Sequence, residues 1–137
     1  MCMVSSLKKL NIWPDFFPSD VPPSASEPTS GISFRLVDND PPIRKDFEST
    51  YEENPSRLKV DSSQLDRDCC YGTSQFKDIN DIRKKKRLFP KLRAKLIAVG
   101  ELEPSMGKMM DTYKPSHHTI WYFSSAQPQL YFTVTEK

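Results

Sequence analysis

Residues 94–102 read AKLIAVGEL, and the fold class turns on how this stretch is placed. In extended backbone, successive side chains point to opposite faces, so Ile97 and Val99 fall on one side and Leu96 and Ala98 on the other. A strand apolar on both faces belongs inside a sheet that is covered above and below. Toward the C-terminus, HTIWYF at 118–123 and LYFTV at 130–134 are two further β-prone runs separated by the polar stretch SSAQPQ. They predict a C-terminal antiparallel β-hairpin with a six-residue connection.

Toward the N-terminus, KDINDIRKKKRLF at 77–89 predicts a helix. Asp78 is placed to cap it, Asp81 lies in a first turn that favours acids, and Pro90 ends it. Ile79, Ile82 and Phe89 fall close to one face, with the cations opposite. CCYGTSQF at 69–76 is a compact β-prone stretch. GISFRLVD at 31–38 alternates Ile32, Phe34 and Leu36 with Ser33, Arg35 and Val37, which predicts a strand whose apolar face is the first set. Between these two stretches, Pro41-Pro42 marks a turn, followed by a short helix over 46–53 that stops at Asn54-Pro55. The reading is an α+β domain over 31–137, with a small, mainly antiparallel sheet of four to five strands and one or two helices. Residues 1–30 form a Pro/Ser-rich N-terminal arm. Seven of the 12 prolines precede residue 43, and the arm's Trp13, Phe16 and Phe17 are expected to dock on the protein's own core.

Composition narrows the function classes. A chain of 137 residues is long enough for one self-sufficient core, and 20 Lys and Arg against 18 Asp and Glu exclude a global polyelectrolyte. No apolar run approaches the roughly 20 residues of a membrane span. The opening MCMVSSLKKL is interrupted by Lys8 and Lys9 and is too short to read as a secretory signal. Three cysteines, two of them adjacent at Cys69 and Cys70, do not suggest a disulfide framework, and no Cys-x-x-Cys spacing offers a zinc site. A soluble, cytoplasmic protein with reduced thiols and no metal is the expectation.

Two features bear on function directly. Residues 83–95, RKKKRLFPKLRAK, hold eight cations and no acid: Arg83, Lys84, Lys85, Lys86, Arg87, Lys91, Arg93 and Lys95. Such density gathers positive potential that suits phosphates or an acidic protein surface, and would make binding depend steeply on salt. Nothing in the run reads bases, so nucleic acid would be engaged without regard to sequence. The only histidines, His117 and His118, stand side by side at the start of a strand. Their side chains point to opposite faces, which prevents both from ligating one metal. One is expected to be half exposed and the other tucked inward, leaving a ligand contact open to either.

A third feature is an ordered set of short pieces: Arg35 in SFRLV, Gly72-Thr73-Ser74, and Glu101-Leu102-Glu103. This order resembles the arginine, serine-threonine-serine and Glu-x-Glu pattern of ADP-ribosyltransferases, whose fold is also a small α+β one. The resemblance implies that Arg35 holds a phosphate or ribose of NAD and that Ser74 supports the nicotinamide side. It also implies that Glu103 binds ribose and polarises the breaking bond, with Glu101 facing the substrate; His118 is a further catalytic candidate only if the protein is an enzyme. A carboxylate beside a glycosidic carbon stabilises the positive charge that develops there. The sequence therefore favours a binding protein that meets nucleic acid or an acidic protein through its basic helix, with no cofactor. An NAD-dependent transferase of the toxin or effector type is the alternative.

Overall fold

The stretch with two apolar faces does lie inside a sheet, hydrogen-bonded along both edges. The computed structural model describes residues 12–137. Cys2, Lys8 and Lys9, with the reading of the opening segment as no secretory signal, lie outside the described residues. Seven strands are present: β1 (Glu27–Pro28), β2 (Gly31–Val37), β3 (Thr73–Phe76), β4 (Leu96–Leu102), β5 (Gly107–Tyr113), β6 (His117–Tyr122) and β7 (Phe132–Glu136). They form one sheet in the order β1-β5-β6-β3-β2-β4-β7, with every pairing antiparallel. Three helices accompany it: α1 (Thr50–Glu53), α2 (Gln64–Cys70) and α3 (Ile79–Leu88). The α+β class with an antiparallel sheet agrees with expectation, but four to five strands and one or two helices were too few.

The extra elements have weak local signals. Strand β5, GKMMDTY, lacks a clean alternation, and β1 is two residues long. Helix α2 absorbs Cys69 and Cys70, which read as β-prone, because Ser63 caps it by accepting a hydrogen bond from the Asp66 amide. Its C-terminal turn is buried, including both cysteines, which are free. Helix α3 has the predicted bounds, with the Asp78 carboxylate accepting from the Asn80 amide at 2.7 Å, but Lys85 is half-buried beside Ile82 instead of lying opposite it.

The predicted C-terminal hairpin is not formed. Strand β6 pairs with β5 and β3, and the true hairpin is β5–β6, turning through Lys114–Ser116. Strand β7 instead crosses to the far side of β2 and pairs with β4. Close packing shows why that register is specific. Phe132 lies opposite Gly100, where a Cβ would come within 2.5 Å of the Phe132 ring, so only glycine leaves room.

Both faces of the sheet are covered. On one, Val37, Phe47, Ala98, Ile120, Tyr122 and Phe132 form a cluster. On the other, Phe76, Ile82 and Ile97 pack with half-buried Phe34 and Leu36 beneath α3. This double cover corrects the reading of β2: Ser33 is fully buried, whereas Ile32 is 51% exposed. Residues 12–30 are part of the same body. Trp13, Phe16 and Phe17 pack around Val21, Tyr71 and Trp121, and β1 extends the sheet beside β5. Among the described residues no helix is long and apolar enough to cross a membrane.

Trp121 is fully buried and donates its indole N–H to the Asp68 carbonyl at 2.9 Å, tying β6 to the end of α2. Trp121→Ala should lower unfolding free energy by about 3–5 kcal/mol, a large share of the roughly 5–15 kcal/mol that domains possess. Urea denaturation followed by circular dichroism measures this; full retention of stability would show the indole to be dispensable to the core.

Candidate functional site

Strands β2 and β3 share a single register pair, Phe34 with Phe76. Beyond it the Arg35 side chain does the joining. Its Nη1 donates to the Ser74 carbonyl at 2.9 Å, its Nε to the Asp46 carbonyl at 2.9 Å, and its Nη2 to the Glu48 carbonyl at 3.4 Å. Among the described residues its one ion pair is with Glu53, at 3.5 Å, and the guanidinium is nearly enclosed. Local sequence fixes Glu53 there. Ser49 and Glu52 form a capping box, with the Ser49 hydroxyl accepting from the Glu52 amide and the Glu52 carboxylate accepting from the Ser49 amide. Asn54 then caps the 3-10 turn Pro55–Arg57, which carries Arg57 outward.

A cleft of about 820 Å³ opens beside this junction. Its apolar wall is Leu36, Phe76, Ile82, Phe89 and Leu92. Five cations face it, namely Arg35, Arg57, Lys85, Lys91 and Lys95, against one carboxylate, Glu53. Lys95 also pairs with Asp38 at 3.0 Å. The side chains of Arg57, Lys85 and Lys91 have no hydrogen-bonded or ionic partner among the described residues. Lys85 is half-buried, its ammonium 5.8 Å from the centre of the Phe76 ring and 5.7 Å from that of Phe89. Burial, reinforced by the charges of Arg57 and Arg35, lowers its pKa. The cleft therefore holds positive charge that the fold does not neutralise.

The predicted site residues are divided by this geometry. Lys85, Lys91 and Lys95 line the cleft. Arg83 is turned to the β7 edge, paired with Glu136, and Arg93 bonds the Arg87 carbonyl at 3.1 Å. Lys84, Lys86 and Arg87 lie outside the lining. Arg35 and Ser74 are brought together, but Glu101 and Glu103 do not join them. Arg35 stands opposite Ala98, three positions from Glu101 on β4, so the two side chains leave opposite faces of the sheet. Glu103 is exposed beyond the end of β4. Arg57, Phe76 and the capped Glu53 were not singled out in the sequence; nothing in ENPSRLK marks Arg57 as converging with the basic run. Phe89, read on one helix face with Ile79 and Ile82, is 53% exposed at the cleft.

Both histidines are buried, which corrects the expectation that one would be half exposed. His118 Nε2 lies 2.7 Å from the Ser33 hydroxyl. That hydroxyl accepts from the Gln75 amide at 2.6 Å, and Gln75 Oε1 accepts from the Tyr122 hydroxyl at 2.6 Å. The network crosses β6, β3 and β2 inside the fold, a structural role. Among the described residues His118 Nδ1 is buried without a partner. On the other face His117 Nδ1 lies 2.6 Å from the Thr112 hydroxyl, with the Phe76 and Tyr113 rings beside it. Among the described residues no group of metal-ligating side chains is assembled.

Burial lowers both imidazoles from 6.5 to about 4. Lys77 reinforces this at His118, and Lys85 at His117. Between those values the unfolded chain binds protons that the folded one refuses, so stability is level above pH 6.5 and falls as pH drops toward 4. Each unit of separation amounts to about 1.4 kcal/mol per histidine. Urea midpoints measured across this window should decline, and His118→Gln should show a shallower decline; equal slopes would mean that His118 titrates normally in the fold.

No family model, no curated protein and no solved structure matches the chain, so the cationic cleft has to be interpreted from its own chemistry.

Proposed function

We propose that this protein is a binding module for a phosphate-rich partner, nucleic acid engaged independently of sequence, and that the cleft beside the β2–β3 junction is where it binds. The observation that carries this reading is the convergence of five cations on one cleft with a single carboxylate. Lys85 supports it most. A half-buried ammonium flanked by arginines and lacking a carboxylate opposes folding, and an arriving anion removes that penalty. Arg57 and Lys91 keep their donors free for phosphate oxygens, whereas most of Arg35's donors serve the fold. No cofactor enters this reading. The transferase alternative assigns its key carboxylate to Glu103, which does not line the cleft, so the geometry lends NAD chemistry no support there. Buried, free Cys69 and Cys70, with thiol pKa values raised by burial, fit a reducing cytoplasm.

The test is fluorescence anisotropy of a labelled oligo(dT) over a salt series, with Lys85→Gln and Arg57→Gln. Each substitution should weaken binding several-fold at low salt. Each should also reduce the slope of log K against log salt by about 0.7 for every single-strand phosphate that is no longer neutralised. Lys85→Gln should leave the thermal midpoint unchanged or raise it, because it removes a desolvated charge. Affinity and slope unaffected by either substitution would remove the cleft as the anion site. Displacement of the oligonucleotide by polyglutamate at equal charge concentration would redirect the reading to an acidic protein.

A further inference from the structure

We infer that the cleft selects single-stranded over duplex nucleic acid by seating one unstacked base against Phe89, while Lys85, Arg57 and Lys91 hold the neighbouring phosphates. This rests on the phosphate-binding reading above and names the class of partner it takes.

Phe89 is the observation that points there. It follows the last residue of α3 and precedes Pro90, which disfavours helical backbone before it; Phe89 accordingly adopts φ −111° and ψ 111°. The chain thus leaves the helix axis at this residue, and the ring goes to the cleft wall rather than into the core beneath α3. It is 53% exposed, and among the described residues no aromatic ring stacks on it. Its one ring contact of note is the Lys85 ammonium, 5.7 Å from its centre. An aromatic face left bare beside unpaired cations offers both halves of a nucleotide contact: a surface for a base, and donors for the phosphates on either side. Phe76, Leu36, Ile82 and Leu92 give the rest of the cleft an apolar lining.

Charge and size decide between candidate ligands. A volume of about 820 Å³ admits a nucleotide. A free mononucleotide has too few charges to use the cleft cations together with Lys84 and Arg87 on the same helix, whereas a strand continues past the opening. Duplex bases are already stacked on one another and present no face to Phe89. A duplex would therefore meet the cations alone.

The experiment uses the full chain and labelled oligo(dT), oligo(U) and a duplex of matched length, with inorganic polyphosphate and a free mononucleotide as competitors. Single strands should bind about ten-fold tighter than duplex, and Phe89→Ala should remove about that factor. Phe89→Ala should leave polyphosphate affinity and the thermal midpoint unchanged, because the ring is exposed. Phe89→Trp should retain single-strand affinity and show quenching of its new indole on binding. The relative affinities for oligo(dT) and oligo(U) identify DNA or RNA as the preferred strand, and either preference fits. Equal affinity for strand and duplex overturns the inference while leaving the phosphate-binding reading standing. So does a Phe89→Ala variant that loses nothing while binding stays salt-dependent, and so does a mononucleotide that competes as tightly as a strand. Absence of binding to every polyanion removes the cationic-cleft reading, and this one with it.

Discussion

The two halves of the sheet, β1-β5-β6-β3 and β2-β4-β7, meet at one backbone register pair, Phe34 with Phe76. A junction so short leaves donors and acceptors that a longer ladder would satisfy, and side chains supply the missing bonds. On one side Arg35 reaches three backbone carbonyls. On the other, Ser33, Gln75, His118 and Tyr122 form a buried run of hydrogen bonds spanning three strands. Burying an unpaired polar group costs about 1–3 kcal/mol, so a strand pairing that broke these hydrogen bonds would be disfavoured, and the networks specify which strands meet.

This junction also creates the cleft. Because β2 and β3 do not zip along their length, space remains between Arg35 and the turns that follow α1 and α3. The arginine that closes the gap is itself a nearly enclosed charge with one exposed carboxylate for compensation, at 3.5 Å. Lys85 adds a second desolvated cation nearby, held against two aromatic rings instead of an acid. In purely structural terms this is an unfavourable arrangement, since like charges in a partly dry site repel. Under the proposed reading, an anionic partner would relieve that repulsion.

The histidine pair illustrates how the sheet assigns roles. Adjacent residues on β6 face opposite layers, so His118 enters the polar network with Ser33 while His117 packs between Phe76 and Tyr113. Both are buried, and burial holds both neutral at physiological pH. Their proximity in sequence carries no shared chemistry.

Local pattern alone determined several features of this protein. The doubly apolar run at Leu96–Leu102 required an internal strand, and Asp78 and Pro90 bounded the basic helix. These rest on nearest-neighbour physics: backbone periodicity and end-capping. Tertiary structure alone decided which strands pair. Strand β7 left its neighbour β6 for β4 because Phe132 fits over Gly100, and β2 buried Ser33 because Gln75 and His118 satisfy its hydroxyl there. The cleft was hidden for the same reason. Arg35 and Arg57 lie far in sequence from Lys85 and meet it only when the fold closes, so no local window contains the whole site.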